Sequence, residues 1–335
     1  MTSRLRQARP PYVGVAILSS TLLLLSGCAE SGVYLSFLNP QGPIAAAQRW
    51  HLIEVVVLLG VFVALPIFVL LPLLVWRYRY GAKSPRYTPK WQDYLPLEVM
   101  VWAGPIAIIC VLGFLVWHYT HALDPYKPIA PHGRPLQVQA IGYDWKWLFI
   151  YPDQGIATVG VLAIPVEQPV AMRLTSATVM QSLLIPALAG QIYAMGGMVT
   201  QLHLKATKPG RSLGENTMYN GNGFHHQKFT ALAMPPEEFK AWVRKVRASG
   251  VALDARAYKA LSQRGTVAEL VAALPRASHE GNIYLTQVSA ALFPAVVEAT
   301  MTGTPTALGH VLVAPAGLPA PVVRKTAASS MENAP

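Results

Sequence analysis

This chain is poor in charge and almost lacks cysteine. Only 13% of its 335 residues are charged, against about a quarter in an ordinary soluble domain. Its two cysteines, Cys28 and Cys110, exclude a disulfide framework. No stretch gathers cysteine and histidine at metal-binding spacing. The net charge of +11 invites a nucleic-acid reading. Much of that charge is local, however. Arg4, Arg6 and Arg9 open the chain, and Arg77, Arg79, Lys83, Arg86 and Lys90 share one short loop. Both clusters flank apolar runs, where topology signals sit, so no nucleic-acid partner is expected. What abounds is apolar: 53% of residues are hydrophobic. They concentrate before Trp117, which argues for a membrane part followed by a more ordinary soluble part.

The three N-terminal arginines precede an apolar stretch from Val13 to Leu25, too short to span well, as in a signal peptide. It ends in Leu25-Ser26-Gly27-Cys28, which resembles the bacterial lipobox. There the cysteine sulfur takes a diacylglyceryl group, the chain is cut just before it, and the freed amine is acylated. Residues 1–27 are therefore expected to be a lipoprotein signal peptide, and 28–50 an exported segment anchored through Cys28.

Two uncharged runs follow, Val55–Val75 with 21 residues and Val99–Trp117 with 19. Each matches the ~20 residues that cross a hydrocarbon core. They predict a membrane hairpin over 51–120, with spans near 52–76 and 97–118. The loop 77–95 carries five basic residues and one acid, so the positive-inside rule puts it in the cytoplasm. Both ends then face outward, in agreement with Cys28. Glu54 and Glu98 read as helix-end carboxylates at interface depth. Cys110 reads as a small buried hydrophobe.

Beyond Pro125 the pattern changes. Leu136-Gln137-Val138-Gln139-Ala140 alternates, as do Val170, Met172 and Leu174, then Leu202, Leu204 and Ala206, then Phe229, Ala231 and Ala233. Turn clusters separate these strands. An antiparallel β-sandwich or barrel is expected over 135–234. A helical region, 235–301, comes next. Pro235-Pro236-Glu237-Glu238 starts its first helix. Phe239, Trp242, Val243 and Val246 give that helix one buried face. Ala255–Leu274 reads as a second helix. The tail, 302–335, is rich in Pro and Ala and reads as disordered.

Gly142-Tyr143-Asp144-Trp145-Lys146-Trp147, Tyr151-Pro152-Asp153-Gln154-Gly155-Ile156, Ser182-Leu183-Leu184-Ile185-Pro186 and Gln191-Ile192-Tyr193-Ala194-Met195, placed behind a lipobox and a hairpin, carry a specific resemblance. The chain resembles subunit II of the cytochrome bo-type ubiquinol oxidases, within the haem–copper oxidase superfamily. The resemblance implies a cupredoxin-like domain and a multi-pass lipoprotein of the bacterial inner membrane, with its C-terminal domain in the periplasm.

It also implies what has been lost. In the copper-bearing relatives, subunit II of cytochrome c oxidases, the binuclear metal is held by two cysteines, two histidines, a methionine and a backbone carbonyl. The corresponding positions here are Gln181, Asn216, Met218, Asn220, Phe224 and Gln227. Copper in electron-transfer sites wants thiolate, imidazole and thioether, which amides and a phenyl ring do not supply. His225 and His226, read as strand neighbours, point to opposite faces. Met195 and Met198 read as packing a turn. Tyr143, Trp145 and Trp147 read as packing and docking residues at a subunit interface. Tyr284 and Phe293 are what remains of the family's C-terminal aromatic segment.

The resemblance therefore implies a subunit with no catalytic residues and no cofactor of its own. It would belong to a proton-pumping oxidase that oxidises ubiquinol and reduces oxygen to water. Haems and copper are expected in subunit I, which this chain would cap, with subunits III and IV and membrane lipid as further partners. Two alternatives stand beside it: a free-standing copper-carrying cupredoxin lipoprotein, and a copper-bearing cytochrome c oxidase subunit II.

Overall fold

The computed structural model describes residues 39–80, 94–129 and 134–303. The signal peptide, Cys28, most of the 77–95 loop and nearly all of the 302–335 tail lie outside the described residues.

Helix α1 (Pro43–Leu59) has proline in its first turn, where no N–H is needed. It runs through a π-helical turn, Gly60–Ala64, into α2 (Leu65–Arg77). The Leu65 N–H reaches back to the Gly60 carbonyl, just before Pro66 interrupts the ladder. Helix α3 (Leu95–Ala122) brings Tyr119 back beside the second half of α1, where its hydroxyl donates to Glu54 Oε2 at 2.8 Å. Glu54 is thus bonded across the hairpin. Both helical rods are long and apolar enough to cross a membrane, and neither buries its apolar window inside the chain. Both overrun the expected spans, the first because the opening turns of α1 pack on the soluble domain: Ala45 is buried, and Gln48 lies against Gly190.

The soluble domain is clamped to both ends of the hairpin. Gln41 N donates to the Ala187 carbonyl at 2.7 Å, and Thr207 N donates to the Gln41 carbonyl at 2.8 Å. After α3, the Pro125 carbonyl accepts from His203 N at 3.0 Å.

Ten strands build the sandwich: β1 (Leu136–Tyr143), β2 (Lys146–Tyr151), β3 (Ile156–Val159), β4 (Val161–Pro165), β5 (Pro169–Ser176), β6 (Gln181–Ile185), β7 (Ala189–Ala194), β8 (Thr200–Lys205), β9 (Gly210–Asn216) and β10 (Lys228–Met234). The C-terminal region adds α4 (Pro236–Ser249), β11 (Val251–Ala252), α5 (Ala255–Ser262), α6 (Val267–Ala273), β12 (Ser278–His279), β13 (Asn282–Thr286) and α7 (Leu292–Thr302). One sheet runs β11-β13-β3-β2-β1-β5-β8, and the other runs β4-β10-β9-β6-β7. Their facing sides hold Trp147, Phe149, Met172, Leu183 and Phe229. The outer face of the larger sheet holds a second core, where Ile141, Leu148, Ile150 and Ile283 meet Leu261, Leu270 and Phe293 from the C-terminal helices. The larger sheet is therefore the middle of three layers. That is why every residue of β2 is buried and its sequence, Lys-Trp-Leu-Phe-Ile-Tyr, does not alternate.

Three expectations change. The sandwich is mixed: β1 pairs β5, β10 pairs β4 and β11 pairs β13 in parallel, because strands distant in the chain become neighbours. Region 235–301 is not purely helical. Its β13 pairs antiparallel with β3 and extends the larger sheet. The expected helix Ala255–Leu274 breaks at Gln263–Thr266, where Thr266 caps α6 in a reciprocal box with Glu269.

Candidate functional site

The end of the sandwich that carries the β5–β6 and β9–β10 loops gathers four of the six positions that the resemblance aligns with copper ligands. Gln181 begins β6 and Asn216 ends β9. Asn220 sits in the following loop, and Gln227 immediately precedes β10. All four are buried.

Gln227 is the hub. Its Nε2 donates to Gln181 Oε1 at 2.5 Å and to the Tyr143 carbonyl at 3.3 Å. Its Oε1 accepts from Asn216 Nδ2 at 3.0 Å and from Asn220 Nδ2 at 2.7 Å. Asn216 is equally saturated. Its Oδ1 accepts from Ser182 N and Met218 N, and its Nδ2 also donates to the Met218 carbonyl at 2.8 Å. Gln181 Nε2 donates to the Tyr143 carbonyl at 3.1 Å and to Thr178 Oγ1 at 3.2 Å. Asn220 Oδ1 is buried with no partner among the described residues.

Met218 enters through its carbonyl, as the backbone ligand of the copper-bearing relatives was expected to. Its side chain is not part of the network. Phe224 stands apart from the amides in a 3-10 turn, Phe224–His226, with its ring 5.8 Å from that of Tyr219.

This donor set does not fit copper. Neutral amides are hard, weak ligands, and each amide group here except the Asn220 oxygen is already spent on a neighbouring protein group. Buried amides bonded to one another in this way can instead lock their segments in one arrangement. The network ties β1, β6, β9 and the β9–β10 loop together. Among the described residues no three His, Cys, Asp or Glu side chains gather as a metal site.

The two adjacent histidines do not alternate across a strand. They lie in the 3-10 turn, with ring centroids 3.9 Å apart and both residues exposed. Met198 does not pack a turn either; it is 54% exposed. Tyr284 and Phe293 are both buried in the domain's own cores.

The three aromatic residues expected at a subunit interface separate. Trp147 is 1% and Tyr143 2% exposed, on opposite faces of the larger sheet. Burial inside the domain removes both from docking. Burial, reinforced by Tyr258, also pushes the Tyr143 phenol well above its ordinary range. Trp145 occupies the β1–β2 turn with φ +69°, and its Nε1 donates to the Asn220 carbonyl at 3.3 Å. Its ring rests on Gly223, where any side chain would collide with it. The Arg264 guanidinium lies 5.6 Å from the ring centre. Trp145 alone of the three stays half-buried.

Sequence reasoning missed Lys146. This lysine is 2% exposed. Its Nζ donates to the carbonyls of Gln263 at 2.7 Å and Gly265 at 2.9 Å, pinning the α5–α6 loop beside Trp145. Arg264 of that loop bonds Asp144 Oδ2 at 3.0 Å.

No family model matches the chain. Curated relatives do. It is 44% identical over 245 residues to ubiquinol oxidase subunit 2 of Acetobacter aceti, covering 72% of this chain and 78% of the relative. It is 43% identical to cytochrome bo(3) ubiquinol oxidase subunit 2 of Pseudomonas putida over 242 residues, covering 72% and 75%. Among solved structures it is similar to the periplasmic domain of subunit II of cytochrome oxidase from Bradyrhizobium japonicum. That likeness has 22% identity and a TM-score of 0.33, covering 34% of this chain and 94% of that one. The extent and level of identity to the curated relatives decide the matter: this chain belongs to the subunit 2 family of the cytochrome bo-type ubiquinol oxidases.

Proposed function

We propose that this chain is the metal-free scaffold subunit of a proton-pumping oxidase that takes electrons from ubiquinol within the membrane and passes them to oxygen. The haems and copper reside in the large subunit I, and no electron crosses this chain. The observation that carries the reading is the amide network centred on Gln227. It satisfies by hydrogen bonds the positions that a binuclear copper would otherwise organise. The hairpin, whose apolar windows are not covered by the chain itself, packs beside subunit I, and the sandwich caps that subunit's outer face. Subunits III and IV complete the assembly. Of Tyr143, Trp145 and Trp147, Trp145 is the one left available to a partner.

The localisation follows the same logic. The soluble domain is periplasmic, the 77–95 loop is cytoplasmic, and Cys28 carries a diacylglyceryl group and an N-acyl chain in the inner membrane. The copper-carrying alternatives require soft ligands that these positions do not offer.

The test is affinity purification of the tagged chain from membranes in mild detergent. Expected are a haem difference spectrum, ubiquinol-dependent oxygen uptake and no near-infrared band of binuclear copper. A colourless chain purifying alone would sink the proposal. Mass spectrometry of the same sample checks the lipid: an intact Met1 rules out the modified Cys28.

A further inference from the structure

Apart from Tyr219 on the β9–β10 loop, the large exposed apolar residues of the soluble domain are not scattered. Val179, Met180, Tyr193, Met198 and Met301 are all exposed, Met301 to 69%. The segments that bear them meet at one end of the sandwich. Ser176 N and Thr175 Oγ1 both donate to the Met195 carbonyl, at 3.4 and 3.1 Å. Gly197 N donates to Thr300 Oγ1 at 2.8 Å, and Met301 backs directly onto Gly197.

The three stretches Ser176–Met180, Met195–Val199 and Thr300–Gly303 contain no charged residue, in a chain of net charge +11. Solvated loops carry charge, whereas the centre of a protein interface is depleted of it and enriched in Met and Tyr. Methionine side chains, unbranched and polarizable, suit such a contact. A contiguous exposed apolar patch marks an interaction site.

The patch is continuous with the membrane anchor. Strand β7 starts at α1, where Gly190 lies against Gln48, and ends at the patch with Tyr193 and Ala194. That run is about 17 Å at the rise of an extended chain. A partner standing beside α1 in the membrane therefore meets the patch above it.

We infer that this methionine-rich patch is the surface by which the soluble domain seats on the large, haem-bearing subunit. The inference rests on the function proposed above and names the contact that the function requires. Trp145 is then a peripheral contact. The adjoining amide network keeps the patch-bearing loops in one shape, so the loss of metal does not cost the docking surface its rigidity.

Photo-crosslinking residues placed at Met198 and Met301 of the full-length tagged chain, in native membranes, test it. Expected is an adduct with the haem-bearing subunit, absent when the probe replaces exposed Lys240 on α4. An adduct at the mass of two copies of this chain, adducts with lipid alone, or no adduct above the Lys240 control overturns the inference. As a second measure, the double variant Met180→Asp/Met198→Asp changes only exposed side chains. It should lower the haem recovered per tagged chain at least tenfold, while recovery of the chain itself holds. Unchanged haem recovery overturns the patch alone. A wild-type chain that brings down no haem-bearing partner overturns the proposed function, and the patch with it.

Discussion

Gly142 lies flat against the side-chain amide of Gln181. A methyl group on Gly142 would fall 2.5 Å from Gln181 Oε1 and 2.8 Å from its Cδ. Gln181 is held by bonds to Tyr143, Thr178 and Gln227, so it has nowhere to retreat without breaking them. Gly142→Ala should destabilise the domain by about 2 kcal/mol, the range for overpacking a tight site. Gln181→Ala removes the collision. The double variant should therefore lose less than the two single losses added, and a thermal-melt cycle on the purified protein reads that coupling. Strict additivity would show that the contact is not a constraint.

Gln227→Leu keeps the volume and removes four hydrogen bonds at once. Gln181 Oε1 and Asn220 Nδ2 are left buried and unpaired. The expected cost is about 3–5 kcal/mol, because orphaned groups pay their full desolvation. Denaturant unfolding measures it; a loss below about 1 kcal/mol would mean that the network contributes little.

Trp145 and Trp147 should part company. Trp147→Ala opens a cavity between the sheets and should cost about 3–5 kcal/mol. Trp145→Ala removes a half-buried ring held at its edge, and should cost far less. Melting of both variants decides the matter, and equal losses would contradict the separation seen here.

Lys146 gives the protein a pH signature. Burial pulls its ammonium down from 10.5 to about 8, against the opposing attraction of Asp144 and Glu269. The folded form thus releases its proton before the unfolded form does. Its contribution is flat below about pH 8 and becomes more favourable as pH rises toward 10.5. Melting between pH 7 and 9 should show wild type gaining on Lys146→Met, and a loss with rising pH would refute this. The window stops at 9 because the buried phenols of Tyr143 and Tyr151, both pushed up, act in the opposite sense at higher pH.

Much of this was readable from residues alone. The hairpin followed from two uncharged runs. β5 followed from Val170, Met172 and Leu174, and α4 from its apolar stripe. The resemblance, not the local pattern, singled out positions 181, 216, 220 and 227, and their amide side chains gave the expectation that copper would not be held there. Their convergence was not readable, since Gln181 and Gln227 meet across 46 residues. The grouping of Tyr143, Trp145 and Trp147 as interface residues did not show how the chain separates them. Spacing of two puts Tyr143, Trp145 and Trp147 on one face of a strand, but a turn with positive φ at Trp145 resets the alternation. β13 stayed hidden because its five residues sit among helical segments, and only pairing with β3 makes them a strand.

The pairing of β13 with β3 also guards the molecule against its own copies. Strand β3, Ile156–Val159, is wholly buried only because β13 covers its free side. A chain cut after Met234 would present β3 as a raw sheet edge beside the uncovered Ile141, Leu148 and Ile150. Such an edge is a template for aggregation. The stretch after Met234 is therefore a built-in stop to sheet growth, and a soluble fragment of this protein has to keep it to remain monomeric.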